Sequence, residues 1–224
     1  MLHLHDAGTL AYRPAWDLQL QFHEQVQAGT HPHGVLMLVE HPPVITYGRR
    51  PDSPKHLLAS PKLLAARGVE LVETDRGGDI TFHGPGQLVA YPIIPLNTYN
   101  LNLHSYLRLL EQAIIDTLAT FQIPAQRDTA TPPATGVWVH HANHFAKIAA
   151  IGIKVRRWIT FHGLALNVTT DLSFFDLINP CGLSRPVTSI QQLTPDTRPS
   201  MRVVKNALTN AFEQLLHVSL RGPS

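Results

Sequence analysis

The sequence of 224 residues contains one cysteine, Cys181, and the residues around it make this thiol a candidate nucleophile. The run Asn179-Pro180-Cys181-Gly182 is typical of a turn rather than of a periodic apolar segment. A free thiol is only about 3% ionised at pH 7, and an ammonium that lowered its pKa to about 6 would raise the reactive thiolate roughly thirtyfold. A lone cysteine is more often a small packed residue, so the pattern alone leaves both interpretations open.

Lys147 is the second candidate because it interrupts an otherwise apolar run, residues 145–153. Burial of an unpaired ammonium costs several kcal/mol, so a lysine here either reaches solvent along its aliphatic stem or is paired in a pocket. A paired lysine can stabilise a thiolate, or act as a base once its pKa is lowered. The sequence pattern leaves both placements open.

A third segment has four glycines within eleven residues, 76–86, in the run Arg76-Gly77-Gly78-Asp79-Ile80-Thr81-Phe82-His83-Gly84-Pro85-Gly86. Glycine weakens strands, so this density indicates either a tight hairpin or a close approach of the backbone to another group. The segment matches neither the phosphate-binding G-x-x-x-x-G-K-[ST] pattern nor the dinucleotide-binding G-x-G-x-x-G pattern. Nucleotide binding is therefore not supported by motif.

Composition narrows the class of protein. With 44% hydrophobic and 15% charged residues, the chain is expected to form one domain over residues 1–224. A net charge of +2 argues against nucleic-acid binding, and no apolar run approaches a spanning helix. One cysteine excludes an internal disulfide, and the start of the sequence has no secretory pattern, so a cytoplasmic location is expected. Fourteen histidines occur without H-E-x-x-H, and no metal site is predicted.

Apolar periodicity predicts helices and strands that do not alternate regularly. Helices are predicted at 14–27, at 106–121 and in a C-terminal segment that contains Val204, Leu208 and Leu215. Strands are predicted at 35–39, 44–47, 69–73, 80–83 and 88–94, followed by an antiparallel meander at 136–141, 145–151, 154–159 and 164–168. This order favours an α+β domain with a mixed, largely antiparallel sheet and packed helices.

Five blocks together resemble the lipoyl(octanoyl) transferase family, the octanoyl-acyl-carrier-protein:protein N-octanoyltransferases. They are Glu40-His41-Pro42-Pro43, the run 76–93, Lys147-Ile148-Ala149-Ala150-Ile151-Gly152, Phe161-His162-Gly163-Leu164-Ala165-Leu166-Asn167-Val168 and Asn179-Pro180-Cys181-Gly182. The blocks occur in the family's order, which makes the match more specific than any single motif. The resemblance implies the fold of the biotin/lipoate protein ligase catalytic domain, which is related to class II aminoacyl-tRNA synthetases.

The resemblance also implies roles for particular residues. Cys181 corresponds to the nucleophile that forms an acyl thioester, and Lys147 to the residue that lowers the pKa of that cysteine. The residues implied to line the acyl-substrate pocket are Arg76, Gly77, Gly78, Asp79, Ile80, Thr81, Phe82, His83, Ala150, Ile151, Gly152, Gly163, Leu164 and Ala165. No cofactor is implied.

The reaction implied by the resemblance is transfer of an octanoyl group from octanoyl-acyl carrier protein to a lysine of apo lipoyl domains. The implied acceptors are the lipoyl domains of 2-oxoacid dehydrogenase complexes and the glycine cleavage H protein, and the enzyme is expected to act as a monomer, without membrane or nucleic acid. The basic residues Lys154, Arg156 and Arg157, together with Arg49 and Arg50, are predicted to contribute to a docking face for the acidic carrier.

Two alternatives remain from the sequence. An ATP-dependent lipoate or biotin ligase of the same fold would need an adenylate-binding loop and no nucleophilic cysteine. A non-catalytic relative that binds carrier protein would have no physical reason to retain a costly lysine together with a thiol. Cys181 and Lys147 argue against both alternatives.

Overall fold

The structure is a computed structural model, and it describes residues 1–130, 134–141, 144–179 and 186–221. The described strands are β1 (Leu2–Thr9), β2 (Val35–Glu40), β3 (Val44–Tyr47), β4 (Glu70–Glu73), β5 (Thr81–His83), β6 (Gln87–Ile93), β7 (Ala125–Arg127), β8 (Val137–His141), β9 (His144–Arg156), β10 (Ile159–Asn167) and β11 (Leu220–Arg221). The described α-helices are α1 (Tyr12–Gln27), α2 (Pro61–Ala66), α3 (Leu103–Ala119), α4 (Ile190–Leu193) and α5 (Met201–Leu216). Short 3₁₀ helices occupy Ser53–His56, Leu96–Tyr99 and Leu172–Leu177.

Eight strands form a large sheet in the order β11-β1-β2-β6-β10-β9-β8-β7. The pairs β1–β11 and β1–β2 are parallel, and the remaining pairs of this sheet are antiparallel. A small sheet has the order β4-β3-β5, with β3 parallel to β4 and antiparallel to β5. The predicted α+β class with a mixed, largely antiparallel sheet is confirmed.

Helices α3 and α5 cover one face of the large sheet, here called the helix face. Each helix buries a stripe of apolar residues at spacings of three and four, as the sequence predicts. Helix α3 begins at a capping box, in which the Ser105 backbone N–H donates to Asn102 Oδ1 at 2.8 Å and the Asn102 backbone N–H donates to Ser105 Oγ at 2.9 Å. The stripes pack on buried residues of β2, β6, β8, β9 and β10 to form the main core.

The opposite face of the large sheet is covered in two parts. Helix α1 packs its apolar residues, including Phe22 and Val26, on strands β2, β6 and β10. The small sheet has its own apolar cluster, which also includes Leu64 of α2 and Leu177 of the last 3₁₀ helix. The loop 76–79 connects the small sheet to β9, because the Gly77 backbone N–H donates to Ile153 O at 2.8 Å.

Strand β9 corrects one part of the predicted meander. The sequence predicts separate strands at 145–151 and 154–159, but β9 continues through Gly152 and Ile153 to Arg156. Gly152 pairs with Gly163 across the ladder and is not a turn residue. The chain reverses at Arg157 and Trp158, which have positive φ angles of 53° and 61° and lack the asparagine or glycine usual at such positions. Periodicity also missed β1 and α2.

A β-bulge in β9 determines which side chains share a face. Trp138 pairs with Lys147 and Val137 pairs with Ala149, so Ile148 is an extra residue without a counterpart on β8. Because side chains alternate along a strand, this extra residue reverses the facing of all later positions. Lys147 therefore lies on the same face as Gly152, opposite the helix face.

No helix within the described ranges is long and apolar enough to cross a membrane.

The hairpin between β9 and β10 gives a test of the fold. Residues with side chains at positive φ cost about 1–2 kcal/mol each relative to glycine, so Arg157→Asn combined with Trp158→Gly should raise the free energy of unfolding by about 1 kcal/mol. Trp158→Ala should give no gain, because it removes the exposed ring but keeps the strained backbone. Urea unfolding of both variants measures this difference, and a less stable Asn-Gly variant would contradict the hairpin geometry.

Candidate active site

The ammonium of Lys147 is held by groups of the protein on the face opposite the helices. Its Nζ donates to Thr135 O at 3.2 Å and lies 4.8 Å from the centroid of the Trp138 ring. A cation above an indole ring is attracted by the negative face of the ring. Lys147 is half-buried and is the fourth of the thirteen residues of β9, so strand residues flank it on both sides.

Gly136 provides the space that the Lys147 side chain occupies. A Cβ at Gly136 would lie 3.2 Å from Lys147 Cε and 2.7 Å from Ala149 O, and its φ of +133° also favours glycine. The backbone N–H of Gly136 donates to Oε1 of the buried Glu111 at 3.3 Å. Glu111 is in turn paired with Arg108 at 2.6 Å. Helix α3 thereby fixes the turn on which Lys147 rests.

The loop that begins at Arg76 crosses over β9. The buried guanidinium of Arg76 donates to Thr46 O at 2.7 Å and Thr46 Oγ1 at 3.0 Å, which attaches the loop to the small sheet. A Cβ at Gly152 would lie 2.8 Å from Gly77 O. The glycines that the sequence analysis associates with a close approach therefore allow two backbone segments of this chain to cross.

The other two predicted pocket segments lie side by side. They pair in register across β9 and β10 as Gly152–Gly163, Ile151–Leu164 and Ala150–Ala165. The space that a side chain at Gly163 would need is filled by the carbonyl oxygen of Ala90 on β6. The structure thus brings 76–78, 150–152 and 163–165 together. Close packing against the neighbouring strand β6 explains why residue 163 has no side chain.

Asp79 to His83 extend from the crossing loop into the small sheet. Asp79 Oδ2 lies 2.6 Å from His56 Nδ1, and Asp79 Oδ1 accepts the backbone N–H of Ile80 at 2.8 Å. Ile80 and Phe82 are almost fully buried in the apolar cluster of the small sheet, and Thr81 is half-buried. Their acyl-pocket role stays a prediction.

Cys181 lies outside the described residues, but the described chain on both sides of it is anchored. Before it, the backbone N–H of Asn179 donates to His56 O at 2.8 Å. After it, the backbone N–H of Lys147 donates to Pro186 O at 2.9 Å, and the backbone N–H of Thr188 donates to Lys147 O at 3.0 Å. The segment after the candidate nucleophile is thus bonded directly to the backbone of the candidate lysine.

Two buried histidines near the crossing are neutral. His41 Nδ1 donates to Leu10 O at 2.7 Å, so its Nε2 accepts the hydroxyl of Tyr91 at 2.8 Å. Burial lowers the pKa of His41 to about 4 and the pKa of His83 to about 3. Neither ring carries charge at neutral pH, and their interactions depend on which nitrogen holds the proton.

Sequence reasoning gave no role to Asp75, which accepts hydrogen bonds from two residues of the same face. His162 Nε2 lies 2.8 Å from Asp75 Oδ1, and Lys154 forms an ion pair with Asp75 Oδ2. The hydrogen bond from His162 holds the pKa of Asp75 well below its usual range. His162 is buried at a φ of 55°, a strained conformation of the kind found at functional sites. The only feature of the sequence that pointed to His162 was its place in the Phe161-His162-Gly163 block.

The predicted basic docking residues at the end of β9 and in the following turn do not lie close to Lys147. Lys154 is engaged by Asp75, and Arg157 donates to Gln27 at 3.0 Å. Arg156 is nine positions along the strand from Lys147, about 30 Å at 3.3 Å per residue. Arg49 and Arg50, by contrast, are exposed and directly follow Gly48, which packs against the loop 76–78.

An open cavity of about 610 Å³ lies at the β7–β8 end of the large sheet. Strand register places it on the same face as Lys147, because Gln126 pairs with Trp138 and Trp138 pairs with Lys147. Its lining residues are Gln126, Asp128, Thr129, Ala130, His140 and Phe145. None of them belongs to the predicted acyl-pocket segments.

Residues 11–213 match the family described as the Lipoyl protein ligase A/B catalytic domain. This chain belongs to that family. The match includes Lys147, Cys181 and all three predicted pocket segments. The resemblance inferred from the sequence motifs is confirmed.

Two similar proteins are named octanoyltransferases. An octanoyltransferase of Gloeobacter violaceus is 45% identical over 213 residues, which cover 95% of this chain and 89% of the relative. An octanoyltransferase of Chloroflexus aurantiacus is 48% identical over 191 residues, which cover 84% of this chain and 82% of the relative. These relatives show that the chain is an enzyme of the acyltransferase class.

The fold of this family member is also similar to that of a solved ligase. The bipartite lipoate protein ligase of Thermoplasma acidophilum, described together with its E2 lipoyl domain, aligns with a TM-score of 0.74. The alignment covers 99% of this chain and 85% of that protein at 16% identity. At this identity the likeness shows the shared fold, as the resemblance implied.

The buried neutral histidines predict a loss of stability in acid. The unfolded chain takes up protons as the pH falls through about 6.5, whereas folded His41 remains neutral until about pH 4, so acidification favours unfolding. Each such histidine should contribute about 1.4 kcal/mol per pH unit in this window. His41→Gln should reduce the pH dependence of the free energy of unfolding, measured by urea titration at pH 4.5 to 7.5. His104→Gln, at an exposed position, should leave the dependence unchanged.

Proposed function

We propose that this chain transfers an octanoyl group from octanoyl-acyl carrier protein to a lysine of an apo lipoyl domain through a thioester on Cys181. The observation that carries the proposal is the position of Lys147, whose ammonium is held on the sheet face and whose backbone is bonded to Pro186 and Thr188, just after Cys181 in the sequence. The octanoyltransferase relatives support the acyl group and the reaction type. The lipoate ligase described with its E2 lipoyl domain supports the class of acceptor.

In the first step, the Cys181 thiolate attacks the carbonyl carbon of the octanoyl thioester. A carbon–sulfur bond to Cys181 forms, and the bond to the sulfur of the carrier breaks. The leaving thiolate takes a proton from the Lys147 ammonium, so Lys147 becomes neutral. Because one thioester replaces another of similar energy, this step requires no ATP.

In the second step, the amine of the acceptor lysine attacks the Cys181 thioester. Neutral Lys147 accepts the proton that the amine loses, an amide bond forms, and Cys181 leaves as a thiolate beside the restored ammonium. The products are the octanoylated lysine and the free carrier thiol. Conversion of a thioester to an amide makes this step downhill.

The predicted pocket segments are proposed to hold the octanoyl chain near their meeting point at β9. Ala150, which is half-buried and has a small side chain, lies on the face of Lys147 next to the point where the 76–78 loop crosses Gly152. Each buried methylene contributes about 0.8 kcal/mol, so the depth of the slot would select chain length. The pocket assignment rests on the family resemblance and on this register.

The proposed docking face for the acidic carrier protein is the surface of Arg49 and Arg50. These exposed residues directly follow Gly48, which packs against the crossing loop, whereas Lys154 is engaged by Asp75 and Arg157 by Gln27. Lipoyl domains of 2-oxoacid dehydrogenase complexes and the glycine cleavage H protein are the proposed acceptors. The single-domain organisation, monomeric state and cytoplasmic location stay predictions.

The decisive experiment is incubation of the protein with octanoyl-acyl carrier protein in the absence of ATP, followed by intact mass measurement and peptide mapping. We expect the mass of one octanoyl group on Cys181 and its loss when an apo lipoyl domain is added. Octanoylation of the acceptor from free octanoate with ATP, without an adduct on Cys181, would assign the chain to the ligases instead.

Replacement of Lys147 tests the proposed dyad. Lys147→Met keeps the aliphatic stem but removes the charge that favours the thiolate, so alkylation of Cys181 at pH 7 should slow and its pH midpoint should move up towards about 8.5. Transfer should fall further than alkylation, because only transfer needs Lys147 as a base. Lys62→Met, at an exposed position on α2, is the matched control. An unchanged midpoint together with transfer near the wild-type rate in Lys147→Met would remove Lys147 from the mechanism.

A further inference from the structure

We propose that Gln87 and Asn167 are positioning residues, which hold the segment Pro186 to Thr188 against Lys147 through a buried chain of hydrogen bonds. The role deepens the proposed function and rests on it, because the segment that they hold follows Cys181 in the sequence. Neither side chain is proposed to contact the acyl group. Both would act through the backbone of Thr188 and Lys147.

The chain of hydrogen bonds runs in one direction from His83 to Thr188. His83 Nδ1 donates to Gln87 Oε1 at 2.7 Å, and Gln87 Nε2 donates to Asn167 Oδ1 at 2.9 Å. Asn167 Nδ2 then donates to Thr188 O at 3.0 Å. Gln87 Nε2 also donates to Phe82 O at 3.1 Å, which attaches the chain to the small sheet.

Burial makes this arrangement specific. His83, Gln87, Asn167 and Thr188 are each at most 6% exposed, so solvent cannot replace a lost partner. A buried polar group without a partner is costly, and successive amide hydrogen bonds polarise one another. Reversal of either amide would place two donors or two acceptors against each other. The network therefore has one satisfied orientation.

Asn167 lies where the pairing of β10 with β9 ends, and this position explains the role of the hydrogen-bond chain. The last registered pair between β10 and β9 is Leu166–Ala149, so the backbone of Lys147 has no partner on β10. The segment that follows Pro186 takes that place, with a parallel bridge between Val187 and Lys147. Asn167 is the first residue of β10 beyond the pairing, and its side chain spans from β10 to the replacement segment.

The consequence for the reaction is geometric. The β9 bulge places the Lys147 side chain on the face opposite the helices. The segment that follows Cys181 in the sequence is bonded to the Lys147 backbone at Pro186 and Thr188. A displacement of about 1 Å between reacting groups can cost about a hundredfold in rate. Loss of the hydrogen bond between Asn167 and Thr188 should therefore lower the turnover rate. It should leave the surface that binds octanoyl-acyl carrier protein unchanged.

The experiment compares two substitutions of Asn167 with a control in the main core. Asn167→Leu removes both hydrogen bonds, and Asn167→Asp keeps an acceptor for Gln87 but replaces the donor to Thr188 O. The control, Tyr106→Phe, removes a buried hydrogen bond to Pro92 O on the helix face. For each protein we would measure amide hydrogen exchange at Lys147 and Thr188, the kcat and KM for octanoyl-acyl carrier protein, and the pH midpoint of Cys181 alkylation.

We expect exchange at these two amides to rise about tenfold or more in both Asn167 variants, with kcat reduced between about tenfold and a hundredfold and KM within about twofold. The alkylation midpoint should move towards that of Lys147→Met. Tyr106→Phe should keep the wild-type exchange at both amides and the wild-type kcat. Gln87→Glu, which keeps the acceptor for His83 but loses the donor to Asn167, should show the same direction of change.

Three results would overturn the positioning role. They are wild-type exchange at Lys147 and Thr188 in both Asn167 variants, a rise in exchange spread evenly over the protein, or raised local exchange with an unchanged kcat. Failure of the proposed function has a different signature, because the wild-type protein would then form no adduct on Cys181. In that case the exchange measurements alone decide whether Asn167 anchors the segment.

Discussion

The extra residue in β9 is the constraint on which the rest of the site depends. Side chains alternate along a strand, so without Ile148 as a bulge Lys147 would face α3 and α5 together with Ile151. An ammonium in that apolar core would be severely destabilising. The bulge instead turns Lys147 to the face of Gly152 while the later odd-numbered residues stay in the core. A single inserted residue thus allows one strand to carry a charged side chain on one face and core residues on the other.

A second constraint is the crossing of the 76–78 loop over the same strand. Gly77 and Gly152 approach so closely that a side chain on Gly152 would collide with Gly77 O. This crossing joins the small sheet to the large one, since Arg76 is bonded to Thr46 and Gly77 to Ile153. The crossing thereby places the 76–78 loop, which is distant in sequence, next to strand β9. Lys147 lies at one end of this stretch of β9 and Lys154 at the other.

Buried polar groups make the arrangement unique. His41, His83 and Asn167 are each enclosed, and each is hydrogen-bonded to a specific partner on another strand or loop. Apolar packing alone tolerates small shifts in register, but a buried amide or imidazole does not. The polar network of the opposite face therefore adds precision where the helix face supplies most of the apolar burial.

The sequence by itself determined the class of fold, the main helices and the family. Periodicity identified α3 and α5 because their buried stripes repeat every three to four residues, and the motif blocks identified the family and gave Lys147 and Cys181 as candidate catalytic residues. Tertiary structure alone decided which of these residues meet. The bulge at Ile148, the continuous course of β9 through Gly152 and the ion pair of Asp75 depend on partners far away in the chain. Local sequence patterns record the propensity of a segment, but register and crossing are set by long-range contacts that no local pattern encodes.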